Sequence, residues 1–185
     1  LTGICGSDAK QVFMDWGDVA SPDNPMKGFF SLPQVLGHEV VADVVELGPE
    51  ARGLDVGDRV VLNPWLSCAP RGVRPVCAAC ARGDFSLCAS FSAGPIAPGI
   101  HTGTSSDASG GWAELMPAHD SMLFRVPDEV PDEHAVFADP FAVMLHAVTR
   151  HPPPVGAPPV DGQPPRIVGG AVRDLLLKRQ PKDFD

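Results

Sequence analysis

Four of the five cysteines in the chain, Cys68, Cys77, Cys80 and Cys88, fall within residues 67–88, SCAPRGVRPVCAACARGDFSLC. No other feature constrains the fold as much. The stretch is full of Gly, Pro and Arg, has no regular apolar period, and cannot build a core of its own. Cys77 and Cys80, with two residues between them, can chelate one ion from a single turn. Cys68 and Cys88 can close a tetrahedron from the flanking loop, with sulfurs roughly 2.3 Å from a zinc ion. A metal would then stand in for a core. The alternative is a group of small buried hydrophobes, which is how free cysteine often packs. A disulfide framework belongs to oxidising compartments. No signal-peptide pattern opens the sequence, so a cytoplasmic, reducing setting is the expectation.

The remaining sequence divides into three parts. At 185 residues, with 44% hydrophobic side chains, the chain suits one domain or a domain plus a further piece. It begins LTGICGSD, without an initiator Met, and reads as a segment already inside a fold. A net charge of −9 argues against nucleic-acid binding through a basic surface. No apolar run reaches the roughly 18 residues that a membrane helix needs. Short Val-rich runs at 38–48, 57–65 and 110–127 are separated by turn signals at Gly48, Pro49, Gly53 and Gly57. They predict a mainly β fold with some α, an irregular barrel or sandwich. From Pro131 the pattern becomes two helical pieces, with Pro140 at a helix start and Val143, Leu145 and Ala147 on apolar positions. Residues 151–165 hold seven prolines and read as a linker. Residues 166–185 read as a strand, a Gly-Gly turn and a helix carrying Val172 and Leu175 to Leu177. The expected boundaries are therefore 1–150, 151–165 and 166–185.

A second candidate metal set comes from separate turns. GICGSD presents Cys5, and LGHEVV presents His38 and Glu39. Cysteine, histidine and carboxylate together can hold zinc with a position left open, as catalysis requires. Taken singly, Cys5 and His38 are more often core residues than ligands.

GICGSDAK, LPQVLGHEVVADVVELG, GLDVGDRVVLNPW, the cysteine cluster and ADPFAVMLHAV follow one another in an order that resembles the zinc-dependent medium-chain alcohol and polyol dehydrogenases, over residues 1 to about 155. The resemblance implies a GroES-like irregular β-barrel with a structural zinc loop. It makes Cys5, His38 and Asp139 ligands of a catalytic zinc, with Glu39 a neighbouring carboxylate that coordinates directly or exchanges with water. Ser7 corresponds to the hydroxyl that hydrogen-bonds a substrate alcohol, and Asp8 to the carboxylate that orients the zinc-bound histidine. Cys68, Cys77, Cys80 and Cys88 would hold the structural zinc. The implied reaction takes a hydride from a small-molecule alcohol to NAD or NADP in the complete enzyme. A homo-oligomer is implied as well.

Two positions depart from that pattern. Lys10 stands where relatives often carry a histidine that ends the proton relay. Arg74 stands where the first cysteine of Cys-x2-Cys-x2-Cys-x7-Cys is expected, which leaves Cys68 to replace it. Substrate-pocket residues are expected around Trp65 and Phe91. Strand sequence expected before GICGSD, and the Rossmann unit expected after residue 155, are not in the sequence, so the chain alone is expected to be an inactive fragment. The tail, IVGGAVRDLLL followed by PKDFD, resembles the opening of the nucleotidyltransferases that include poly(A) polymerases and CCA-adding enzymes. Gly169, Gly170, Arg173, Asp183 and Asp185 match that motif, and joining two incomplete signatures suggests a fusion or a misassembled frame. Two other functions stay open at this point: a zinc-binding structural remnant without catalysis, and a nucleotidyltransferase fragment defined by the tail.

Overall fold

The computed structural model describes residues 1–13, 17–18, 21–24 and 28–150. The expected linker and the nucleotidyltransferase-like tail lie outside the described residues. The chain divides into two units, Leu1–Val136 and Phe137–Asp185.

In the first unit each Val-rich run yields a strand, though a shorter one than its sequence pattern. The strands are β1 (Val41–Asp43), β2 (Arg59–Leu62) and β3 (Leu123–Arg125), joined as an antiparallel sheet in the order β1-β2-β3. Val41 pairs with Val61, and Leu62 with Leu123. Beyond β1 the pairing continues irregularly: the Val44 N–H donates to Asp58 and the Gly57 N–H to Val44, at 2.9 and 2.8 Å. Gly57 makes this tight return at φ +94°, where only glycine is unstrained. Alternation along β2 buries Val60 and Leu62 and leaves Arg59 and Val61 partly exposed. Leu62 joins Val40, Leu66, Ala108 and Met122 in one core cluster; Val41, Val126 and Ala135 form another. Isolated bridges Thr2↔Val40 and Trp65↔His101 extend the β framework. Among the described residues the sheet stays open rather than closing into a barrel.

Among the described residues three α-helices belong to this unit: α1 (Gly6–Phe13), α2 (Ala78–Ala81) and α3 (Asp132–Ala135). The first is longer than the glycine-flanked turn expected around Cys5. Its opening is fixed by Asp8, whose carboxylate reaches back to accept the Cys5 N–H at 2.9 Å, as in half of a capping box. Ala9, Lys10 and Gln11 are good helix formers that carry it on. Arg59 anchors the approach to α3 by donating to Pro127 O, Val130 O and the Asp132 carboxylate.

In the second unit, α4 (Ala138–Arg150) starts two residues before Pro140, where proline is tolerated because the first-turn N–H groups have no helical partner. Its apolar side chains Phe141, Val143 and Leu145 are exposed. No helix among the described residues is long and apolar enough to cross a membrane.

Candidate functional site

Two groups of potential metal donors are assembled in the first unit. Cys5, His38 and Glu39 bring one donor atom each within 4.8 Å of one another, and so do Cys68, Cys77, Cys80 and Cys88.

The Cys5 group is built around Asp8, which is buried at 2% exposure. One carboxylate oxygen holds the Cys5 N–H; the other lies 3.3 Å from His38 Nδ1. That second contact is an ion pair by distance, and His38 Nδ1 has no aligned hydrogen bond. One aspartate thus fixes two donors from segments 33 residues apart, and it leaves Nε2 as the His38 nitrogen for a metal. The electrostatics follow from the packing. The hydrogen bond from His38 outweighs burial and draws the Cys5 thiol below its usual range, with smaller help from Ser7. Burial opposes charge on Asp8 and His38, but their mutual attraction wins: Asp8 titrates below the usual carboxylate range and His38 is raised to about 10. Both shifts favour the thiolate of Cys5, which is the form that binds a metal, and a metal on His38 would take the place of its second ring proton.

Glycines make room for this arrangement. Glu39 lies across Gly3, whose N–H donates to the Glu39 carbonyl at 2.8 Å; a methyl group at Gly3 would overlap the Glu39 carboxylate. Gly37, just before His38, sits at φ +95° with the Trp112 ring and Thr2 methyl pressed against it. Gly110 and Gly111 run close under residues 35–37, donating to Val35 and Gly37 at 2.6 and 2.8 Å. This close backbone approach replaces the strand that the 110–127 run predicts over its first half.

His101 is a neighbour that the sequence reading did not single out. Its ring centroid lies 4.7 Å from that of His38. Nδ1 is 2.8 Å from Thr102 O and so carries the proton, because a carbonyl can only accept; burial lowers the His101 pKa. Its bridge to Trp65 and its turn with Thr104 hold it in place, and no sequence motif marks either. Trp65 itself packs on Phe91 at 5.7 Å. Ser7 and Lys10 are exposed on α1. Asp139 lies in the first turn of α4, in the second unit. Two open cavities of about 580 and 720 Å³ lie along residues 48–52 and along β1; neither is lined by Cys5, His38 or Glu39.

The four-cysteine group fits a tetrahedral ion in its donor chemistry and its spacing. Sulfurs about 2.3 Å from a zinc ion stand roughly 3.8 Å apart; Cys68 Sγ and Cys88 Sγ are 3.6 Å apart. Cys68 is fully buried and accepts from the Cys77 N–H at 3.3 Å, while Cys88 accepts from the Ser90 N–H at 3.3 Å. The loop between them folds back, with the Val73 N–H on Cys68 O at 2.8 Å. Arg74, where the first cysteine was expected, is exposed instead. Backbone N–H groups of Ala89 and Cys80 hold the Cys77 thiol down to about 6, whereas burial pushes Cys80 up to about 12. Four thiols in one pocket cannot all ionise without a cation between them, so the set is suited to holding one.

The chain matches the alcohol dehydrogenase GroES-like domain over residues 1–128. It is 34% identical over 157 residues to the Saccharomyces cerevisiae protein named "Probable diacetyl reductase ((R)-acetoin forming) 2", covering 79% of this chain and 35% of that one. It is 32% identical to L-threonine 3-dehydrogenase of Pseudoalteromonas translucida, covering 78% and 36%. Among solved structures it superimposes on 2R,3R-butanediol dehydrogenase from Bacillus subtilis with a TM-score of 0.58 at 27% identity, covering 80% of this chain and 37% of that one. The chain thus spans about a third of the length of these relatives. Residues 1–128, which carry both cysteine groups, make this chain a member of the GroES-like alcohol dehydrogenase family.

Proposed function

We propose that this chain supplies the metal-binding domain of a zinc-dependent alcohol or polyol dehydrogenase that passes a hydride to NAD or NADP. The observation that carries the reading is the convergence of Cys5, His38 and Glu39 on one point, with Asp8 tying the first two together. Zinc held there supplies Lewis acidity toward an alcohol oxygen. The residues of the chain do the rest: Cys5 and His38 bind the ion, Asp8 orients His38, and Glu39 offers a carboxylate that binds or yields to substrate. Ser7, exposed two positions after Cys5, takes the hydroxyl proton of the alcohol in this reading. Asp139 is proposed as a further ligand from α4. The alcohol loses that proton and a hydride from its carbon, giving a carbonyl compound and reduced nicotinamide. Cys68, Cys77, Cys80 and Cys88 hold a second zinc in a structural role. Five free cysteines support a reducing, cytoplasmic setting, and a homo-oligomer completes the proposal.

No dinucleotide-type strand, glycine turn and helix is present among the described residues. We therefore expect the 185-residue chain to bind metal without oxidising alcohols. The test is cobalt substitution with a small diol as the probe. The visible d–d absorption of Co2+ at the Cys5 centre should shift on adding 2,3-butanediol and be absent in Cys5→Ser. Equal cobalt spectra for wild type and Cys5→Ser would defeat the reading.

Gly3→Ala gives a second check, since its methyl group takes the space of the Glu39 carboxylate. We expect metal at the Cys5 centre to dissociate about tenfold faster in a chelator-competition assay. The four-cysteine metal in the same sample should be retained as in wild type. Unchanged release at the Cys5 centre would place Glu39 outside the ligand set.

A further inference from the structure

Among the described residues Arg71 is the largest side chain that is fully buried, at 0% exposure. Taking a cation out of water is unfavourable, so its buried hydrogen bonds have to compensate. Its hydrogen-bond partners are all main-chain carbonyls rather than a carboxylate. Nε donates to Ala93 O, and the two terminal nitrogens donate to Ile96 O, Ala97 O at 3.2 Å and Gly99 O at 3.5 Å. Burial draws the pKa of Arg71 below the usual arginine range.

The two ends of this contact set lie at different places. Arg71 is three residues from Cys68, in the turn that folds the cysteine loop back, with its N–H on Ser67 O at 3.2 Å. The carbonyls that it gathers belong to residues 93–99, the run leading into His101. From there the path is continuous. The Ile100 carbonyl accepts from the Leu66 N–H at 3.1 Å, His101 bridges Trp65, and the His101 ring packs 4.7 Å from the His38 ring.

We propose that Arg71 is a positioning residue that couples the four-cysteine site to the Cys5–His38 centre, by fixing the 93–99 segment that sets His101 against His38. This rests on the proposed metal-binding function of both groups. The planar fork of arginine is what the task requires, since a lysine ammonium cannot reach carbonyls spread over seven residues in one plane. Because Arg71 lies in the turn that follows Cys68, the ordering of that loop and the placement of residues 93–99 go together.

The experiment uses the full chain with its cluster first filled by one equivalent of Zn2+, followed by titration of Co2+ into the second centre. Arg71→Met should weaken Co2+ binding there about tenfold and alter its d–d bands, while the zinc at the cluster is retained. Arg71→Lys should give a smaller loss. His101→Ala should reproduce the effect, and Arg71→Lys in the His101→Ala background should add nothing further, the mark of one shared path. A merely structural arginine would lower Tm yet leave Co2+ affinity and spectrum untouched well below that temperature, and that result would overturn the proposal. Additive losses in the double variant would overturn it too. If Arg71→Met fails to fold, the Arg71→Lys and His101→Ala cycle decides the matter. A wild-type chain that takes up no Co2+ beyond the cluster would instead remove the functional reading itself, and the coupling with it.

Discussion

Cys68→Ser is expected to lower the zinc content of the purified chain from about two ions to about one and to unravel the cysteine loop. The effect is large because the loop has little else to hold it. Apart from Cys68, Arg71 and Cys88, the 68–98 stretch buries no side chain below the exposure of the core residues. Apparent zinc-binding energies of roughly 10–16 kcal/mol in small structural sites then act directly as folding energy. Cys68 also organises its neighbours, through the Cys77 N–H and its contact with Cys88. Serine in its place leaves a buried hydroxyl and only three cysteine ligands. Hydrogen exchange should show the loss confined to residues 66–105, with β1 to β3 still protected. The comparison variant is Arg74→Cys, which restores the usual spacing in sequence and should not rescue Cys68→Ser, because Arg74 is exposed outside the cluster. A Cys68→Ser protein that keeps the second zinc at wild-type affinity would end the assignment of Cys68 as a ligand.

How much of this was legible in the sequence depends on whether a feature is local. The four cysteines advertise their own proximity, because three of them lie within twelve residues and a metal needs only short reach. Turn glycines at 53 and 57 and the Val-rich runs identify the strands, since a period of two is written in adjacent residues. Cys5 and His38 stood out as donors at glycine-flanked turns, whereas Asp8 was named only through resemblance. The shared carboxylate that binds two of them together is a tertiary fact, with its partners 3 and 30 residues away. The glycines at 3, 110 and 111 look like ordinary turn punctuation; their role is to lack a Cβ where another backbone or side chain must pass. Arg71 and His101 left no trace at all. An arginine in a Gly- and Pro-rich loop reads as solvated, and only the gathering of carbonyls from residues 93–99 reveals that it substitutes for a core. α1 was missed for the opposite reason: eight residues carry too few apolar repeats to show a period of 3.6.

Replacing Asp8 tests whether that shared carboxylate governs the Cys5 centre. Asp8→Ala removes the acceptor of the Cys5 N–H and the only carboxylate at ion-pair distance from His38 Nδ1 among the described residues. Breaking a buried pair by deleting one partner costs about 3–5 kcal/mol, because the other is stranded. In a domain of this size that corresponds to a fall in Tm of roughly 6–20 °C. Asp8→Asn should separate the two jobs. Its amide oxygen can still accept the Cys5 N–H, so the start of α1 and most of the stability survive. The negative charge facing His38 is gone, however, so His38 is no longer held in the orientation that presents Nε2. Metal affinity at this centre should therefore fall 10- to 100-fold in both variants, and zinc at the four-cysteine site should be unaffected in Asp8→Asn. Competition with a coloured chelator reads the two sites in one titration, since they release metal at different chelator concentrations. If Asp8→Asn bound the second ion as tightly as wild type, charge at Asp8 would be irrelevant to His38, and the aspartate would be no more than a helix cap.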